Sequence, residues 1–358
     1  MRILYSIPGL KSVYAARFVY EGLKNAFVDM GHEFCPYTGD NDFSNVLATF
    51  KPDIFLYSLN FYHLKFIDLD VLREHREDGL VVFAQVRAWR SLGNFRSTGS
   101  VATGSLENSK REVELISSGR AGDVFWHWFE QDEPLMDGFV ETTKRPFETI
   151  HQAADRIVYF PDKDDQFTCD LSYVGSYLPA KRKFLRENVL PLGQTLDLRI
   201  YGSDWTLPNR ALGYVQRLGQ YFNIRPLKGI RKLGLSLEDE RRLYSSSRIC
   251  LNVHEAQVQR TGCEINERTF KILACGGFQL SDNVRLMRRF FSASELVTAE
   301  GGRDWFDTVD YYLRHPEERA SIAEAGRTKV LAKHTYHHRA RQILDIADKC
   351  RTGTYGLG

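Results

Sequence analysis

Short, mostly apolar runs of four to six residues recur through the first half of the chain, at residues 3–7, 33–36, 54–57, 80–85, 123–127 and 156–159. Amphipathic stretches separate them. Residues 14–30 place Phe18, Leu23, Ala26 and Phe27 on one helical face before the Met30-Gly31-His32 turn, and residues 64–77 read as a second helix. Strand, helix and strand in alternation predict a parallel sheet covered by helices on both faces.

The pattern breaks at Pro161-Asp162-Lys163-Asp164-Asp165-Gln166 and then restarts. Strands are expected at 171–174, 198–201, 249–253 and 278–280, with helices at 179–189, 237–246 and 264–274. Three further helices follow at 305–313, 316–331 and 336–349. The expected fold class is therefore α/β, with two doubly wound, Rossmann-like domains: residues 1–160, a linker at 161–170, a second domain at 171–335 and a C-terminal helix and tail at 336–358. Parallel sheets bind ligands beyond the carboxyl ends of their strands, so two such sheets facing a central cleft would line it with loops. No short-period repeat is evident.

Composition narrows the class only a little. The 358 residues are 43% hydrophobic and 26% charged, with a formal net charge of +2, so no global field points to nucleic acid or a membrane. Six widely spaced cysteines without a CxxC pair fit free thiols better than disulfides. The chain starts in a strand without signal-peptide features and contains no apolar run of the ~20 residues that span a bilayer. A cytoplasmic location is the expectation.

Candidate chemistry follows the strands of the second half. Gly175-Ser176 leads into a helix with Lys181, Arg182 and Lys183; this is either a place where phosphate approaches the backbone or a tight turn with solvated cations. Gly202-Ser203-Asp204-Trp205 ends the next strand, and Trp205 either stacks on a base or anchors the core. From Arg199 to Lys232 seven basic residues face one acid, Asp204, which fits an anionic ligand or a solvated loop. Asn252 and His254 close the following strand. Asn266-Glu267-Arg268-Thr269 then opens a helix, where the planar fork of Arg268 and the terminal amides suit a diphosphate.

Taken in order, these segments resemble the C-terminal domain of the spore-maturation-type (CgeB-like) glycosyltransferases, relatives of the group 1 glycosyltransferases with a GT-B fold. The resemblance is carried by Asp170 to Ser176 with Arg182, Tyr201 to Trp205, Lys228-Gly229 and Leu251 to His254. It continues through Asn266 to Phe270 with Ala274 to Phe278, Tyr311 to Leu313, Pro316 to Arg319 and His334 to Arg339, spanning roughly residues 155–348. It implies transfer of a sugar from a nucleotide-diphosphate sugar, a co-substrate rather than a cofactor, without a metal. Gly175, Ser176 and Arg182 would lie near the diphosphate, and Gly202, Trp205, Lys228 and Gly229 near the nucleoside. Asn252, His254, Asn266 and Arg268 would line the sugar diphosphate, Thr269 belongs to the same donor site, and Glu267 or Glu264 is a candidate to hold the ribose. Members commonly carry a glutamate after the phenylalanine that Phe270 matches, where it accepts from ribose hydroxyls; here the residue is Lys271, which cannot accept.

Transfer develops positive charge on the sugar and negative charge on the leaving group, which makes Arg182 and Arg268 the first catalytic candidates. Asp68-Leu69-Asp70 has the spacing of a metal motif, but its apolar, helical surroundings suit a surface face. The acceptor side is expected to draw on Gly9, His63, Arg87, His127 and Glu130 at strand ends of the first half. His127 is either a proton shuttle or a histidine satisfied within an aromatic core. The acceptor itself (glycan, protein, small molecule or nucleic acid) is open. A non-catalytic nucleotide- or glycan-binding module is the alternative, with Lys271 as its support. A dinucleotide-dependent epimerase or dehydrogenase fits poorly, because Pro8-Gly9-Leu10 follows the first strand in place of GxGxxG.

Overall fold

The computed structural model describes residues 1–10, 15–90, 105–231 and 234–356. The chain forms two compact units: Met1–His151 with Tyr214–Lys232 and His337–Gly358, and Gln152–Gly213 with Leu233–Tyr336. The segment 214–232 and the C-terminal helix thus fall in the first unit, whereas the sequence pattern groups 214–232 with the second domain and sets the C-terminal helix apart. Lys232 and Tyr14 lie outside the described residues.

The first unit is built on a six-stranded parallel sheet: β1 Arg2–Ser6, β2 Glu33–Tyr37, β3 Ile54–Ser58, β4 Val81–Gln85, β5 Val124–His127 and β6 Phe147–Thr149, in the order β2-β1-β3-β4-β5-β6. β3, β4 and β5 are buried almost throughout, as expected of strands covered on both faces. The C-terminal helix Tyr336–Arg351 is tied to this unit by His337 on Asp29 (2.8 Å), Arg339 on the His151 carbonyl (2.9 Å) and Gln342 on the Thr149 carbonyl (2.9 Å).

The sixth strand is a correction to the pattern. Residues 156–159 are apolar enough to suggest one, but they form a turn, because the Asp155 carboxylate accepts from the amides of Ile157 (3.0 Å) and Val158 (3.4 Å). A local carboxylate acceptor draws those N–H groups away from any ladder. Asp68 acts similarly on the Leu69–Glu77 helix: it caps it through the Asp70 and Val71 amides, while Asp70 pairs with Arg120 at 3.0 Å.

The second unit contains β7 Cys169–Val174, β8 Leu198–Tyr201, β9 Ser247–Asn252, β10 Gln279–Asp282 and β11 Val297–Ala299, all parallel, in the order β11-β10-β9-β7-β8. Alternation along β9 supplies two cores. Cys250 faces a cluster with Phe270, Phe291 and Tyr244, while Ile249 and Leu251 face one with Trp305, Leu171 and Tyr173. The helix expected over 179–189 is regular only at Pro179–Phe184; a wide turn at Leu185–Val189 and a tight one at Leu190–Gln194, where Pro191 lacks a donor, complete it.

In both units the chain adds its second strand on one side of the first and its third strand on the other. The order reverses between β1 and β3, and again between β7 and β9. Open α/β sheets offer a ligand crevice at such a reversal, beyond the carboxyl ends of the strands.

Candidate functional site

The reversal between β7 and β9 is where most of the polar residues singled out in the second half converge. Asn252, the last residue of β9, has no solvent exposure and holds the start of the helix Glu267–Ala274. Its amide donates to Thr269 Oγ1 (2.9 Å) and Asn266 Oδ1 (3.2 Å), and its oxygen accepts from Asn266 Nδ2 (3.0 Å) and Arg268 Nη1 (2.8 Å). Asn266 caps the helix by accepting from the Thr269 amide at 3.2 Å. Arg268 is therefore set in place by the strand below it. Its guanidinium lies over the Tyr173 ring, 5.4 Å from the centroid.

His254 is a positioning residue of this framework. Asp282, at the end of β10, accepts from its backbone amide (3.1 Å) and bonds its Nδ1 (2.7 Å), while Nε2 accepts from the Asn266 amide at 3.3 Å. That arrangement puts the proton on Nδ1 and occupies both nitrogens. Burial opposes ionisation of Asp282, yet the donors of His254 and Gln259 hold its carboxyl below the ordinary range.

One glycine lies against Arg268 and a second lies against the first. A Cβ on Gly175 would stand 2.6 Å from the Tyr173 hydroxyl and 2.9 Å from Arg268 Nη2. At Gly202, with φ +133°, a Cβ would stand 2.3 Å from the Gly175 carbonyl oxygen. Trp205 braces the same loop by donating Nε1 to the Gly175 carbonyl (2.8 Å) and stacking on Tyr177 at 4.6 Å. Ser176 bonds Ser203 at 2.5 Å.

The residue that the sequence pattern missed is Lys181. Arg182 turns to Tyr177, its Nε 3.4 Å from that carbonyl and its guanidinium 5.3 Å from the ring centroid. Lys181, one position earlier, is only 7% exposed, as is Arg268, and neither forms an ion pair among the described residues. Burial, and then the charge of Arg268, lower the Lys181 ammonium from 10.5 to about 8. The Tyr173 hydroxyl is also buried, without a hydrogen-bond partner among the described residues. Lys-Arg adjacency at 181–182 marks this helix as basic in the sequence, but only its rotation decides which cation turns inward.

Lys271 is turned into the fold. It is buried with Nζ 3.5 Å from Glu240 Oε1 and 5.2 Å from the Tyr159 ring centroid. The hydroxyls of Tyr159 and Tyr244 each donate to Glu240 at 2.8 Å. Half-buried Glu267, one helical turn before Lys271, is held below the ordinary carboxylate range: burial works against ionisation, and the Lys271 and Arg268 charges outweigh it.

The remaining candidates lie in the first unit. Lys228 donates Nζ to Asp40 (3.0 Å) and to the Thr38 carbonyl (3.1 Å), with Gly9 against its Cβ and Gly229 next in the chain. His63 meets Ser6 Oγ at 2.9 Å, and burial lowers its imidazole to about 4. Arg87 pairs with Glu112, and Glu130 with His151 at 2.9 Å. His127, at the end of β5, is 7% exposed and stacked on Phe129, with Nδ1 accepting from the Phe129 amide. Much of the basic stretch is committed elsewhere: Lys228 and Arg231 are buried, Arg199 bonds the carbonyls of Gln166 and Thr168, and Arg210 bonds that of Asp204.

Comparison with known proteins bears on the fold and on the second half of the chain. Residues 182–345 match the glycosyl transferase-like family. Over 184 residues the chain is 24% identical to the spore protein CgeB of Bacillus subtilis, an alignment covering 48% of this chain and 52% of that protein. The chain thus spans about half the length of the curated relative it matches. Both matches are to glycosyl transferase-like and CgeB-like sequences, the similarity that the motifs of the second half imply. Its two-domain GT-B fold is shared with a sucrose-phosphate synthase of Thermosynechococcus elongatus, at TM-score 0.62 and 11% identity over 99% of this chain and 100% of the other. An α-glucosyltransferase in complex with UDP-glucose and DNA containing an abasic site superposes at TM-score 0.63, with 12% identity over 98% and 100%. Anabaena HepE in complex with UDP-glucose does so at 0.57, with 11% identity over 98% and 100%. Among the described residues no helix is long and apolar enough to cross a membrane.

Proposed function

We propose that this chain transfers a sugar from a nucleoside-diphosphate sugar, and that the donor binds beyond β7 and β9 with its diphosphate between Lys181 and Arg268. The observation that carries the reading is a pair of buried cations, neither in an ion pair among the described residues, placed beside a Tyr173 hydroxyl that has no hydrogen-bond partner among them, at the strand-order reversal. A buried like-charge pair is costly unless an anion joins it. The glycines at 175 and 202 clear the approach, and Trp205 keeps the loop in place.

In the transfer, the bond between the anomeric carbon and the diphosphate oxygen breaks and its electron pair stays on the diphosphate. An acceptor oxygen bonds the same carbon and releases its proton. Arg268 and Lys181 stabilise the negative charge growing on the leaving group, in a setting where water does not compete. Asn252, Asn266 and His254 hold Arg268 at the right height without contacting the reacting atoms. Since Lys271 is spent on Glu240, Glu267 is the proposed acceptor for the ribose hydroxyls. In this reading the two cations neutralise the diphosphate without a metal.

Calorimetric titration with UDP, followed by donor turnover across a panel of UDP-sugars, tests this reading. Micromolar UDP binding that Arg268→Ala abolishes is the expected result. Absence of UDP binding would remove the proposed donor site, and binding without turnover of any donor would favour a binding module.

A further inference from the structure

The helix Leu207–Tyr221 and the turn after it are amphipathic in the reverse sense. Within the first unit, its inward positions are Gln216, Gly219 and Gln220, all buried, and its outward positions are apolar. Tyr214 (61% exposed), Leu218 (53%) and Phe222 (62%) recur at the i, i+4, i+8 spacing of one face, joined by exposed Tyr221, Ile224 and Ile230. A solvated helix ordinarily shows the opposite order. Tight packing favours small residues inside: a Cβ on Gly219 would stand 2.4 Å from that of Leu227.

The segment's own charges are of one sign. No Asp or Glu occurs between Trp205 and Lys232. The Arg217 guanidinium lies over Tyr214 (4.3 Å from the centroid), and the Lys65 ammonium lies over Tyr221 (4.5 Å) and Phe66 (4.9 Å). Arg225 is exposed at the edge, and nearby Asp40 is already engaged by Lys228 and Arg225. Aliphatic and aromatic side chains bordered by cations whose stems lie along them have the composition of a surface that enters the headgroup region of an anionic bilayer.

We infer that this face is a membrane-docking surface, and that its partner is a bilayer carrying anionic lipid. A second copy of the chain fits less well. A two-fold contact would set Arg217 and Arg225 against themselves with no acid to answer them. Nucleic acid also fits less well: Lys228 and Arg231 are buried, so the face is predominantly aliphatic and aromatic where phosphate binding needs a row of exposed cations. The inference is independent of the sugar-transfer reading.

Co-sedimentation of the full-length protein with vesicles of phosphatidylcholine, with and without phosphatidylglycerol, tests it. Phosphatidylglycerol should raise the vesicle-bound fraction at least about tenfold, and Leu218→Gln with Phe222→Gln should cancel that gain. Both side chains are exposed, so the double variant should melt close to wild type. Tyr214→Ser with Arg217→Gln provides an independent pair with the same expected loss. Failure of the wild type to bind vesicles, or undiminished binding by both variants, overturns the proposal. So does light scattering that shows a dimer dissolved by the variants, or a mobility shift on a DNA oligonucleotide that the variants abolish, with vesicles ignored.

Discussion

Replacing Lys181 with methionine separates the cost of the buried ammonium from its use. The group titrates at about 8 where an exposed lysine titrates at 10.5, a difference of 2.5 that arises chiefly from burial. At ~1.4 kcal/mol per pH unit, this places an order-of-magnitude penalty of about 3 kcal/mol on the folded state at neutral pH. Methionine keeps the length of the stem and removes the charge, so Lys181→Met should stabilise the protein by ~1–3 kcal/mol, raising Tm by several degrees. The sign reverses the usual expectation for a mutation in a packed site. The unfolded chain binds more protons than the folded one between pH 8 and 10.5, so wild-type stability gains on the variant across that window and the Tm difference narrows. UDP affinity should move the opposite way, falling roughly 10- to 100-fold with the lost charge-assisted contact. Wild-type affinity should itself weaken above pH 8. Scanning calorimetry across pH and titration calorimetry with UDP read the two effects separately. A lower Tm with unchanged UDP affinity would refute the reasoning, since it would show that the ammonium is satisfied within the fold.

Other substitutions probe the framework around it. Arg268→Ala should reduce UDP affinity and donor turnover by about 100-fold or more while the chain remains folded, as measured by steady-state kinetics beside circular dichroism. Gly202→Ala, whose Cβ would meet the Gly175 carbonyl at 2.3 Å, should cost at least about 2 kcal/mol in urea unfolding and weaken UDP binding as the Gly175 loop shifts. Glu240→Gln removes the carboxylate 3.5 Å from the buried Lys271 ammonium and should destabilise by ~1–3 kcal/mol in urea unfolding, with Lys271→Met in the same chain recovering much of the loss.

The alternation of strand and helix, the break into a polar run near residue 161 and a helix starting near Asn266 are legible in the sequence, because each depends on contacts among close neighbours; that Asn266 itself caps the helix, which starts at Glu267 and not at 264, is seen only in the structure. The need for glycine after β7 and β8, where a strand turns sharply into a loop, is legible as well. Residues 156–159 show the limit of the apolar pattern: it suggests a strand, but the carboxylate of Asp155 accepts from the Ile157 and Val158 amides and turns them. The helix Leu207–Tyr221 escaped for a related reason. Its glycines and outward-facing apolar residues match no pattern that assumes a buried apolar face.

What only the tertiary structure decided concerns the direction of long side chains. Lys181 and Arg182 are adjacent and equally basic, and the docking of the Pro179–Phe184 helix turns the first toward Arg268 and the second toward Tyr177. Lys228 sits among donor-side candidates in sequence but is held in the first unit by Asp40. Lys271 occupies the position where the resemblance implies a glutamate, and its surroundings depend on Glu240, 31 residues away along the chain. A charge buried in a fold is defined by its partners, and partners distant in sequence are brought together only by the packing of the sheets and helices.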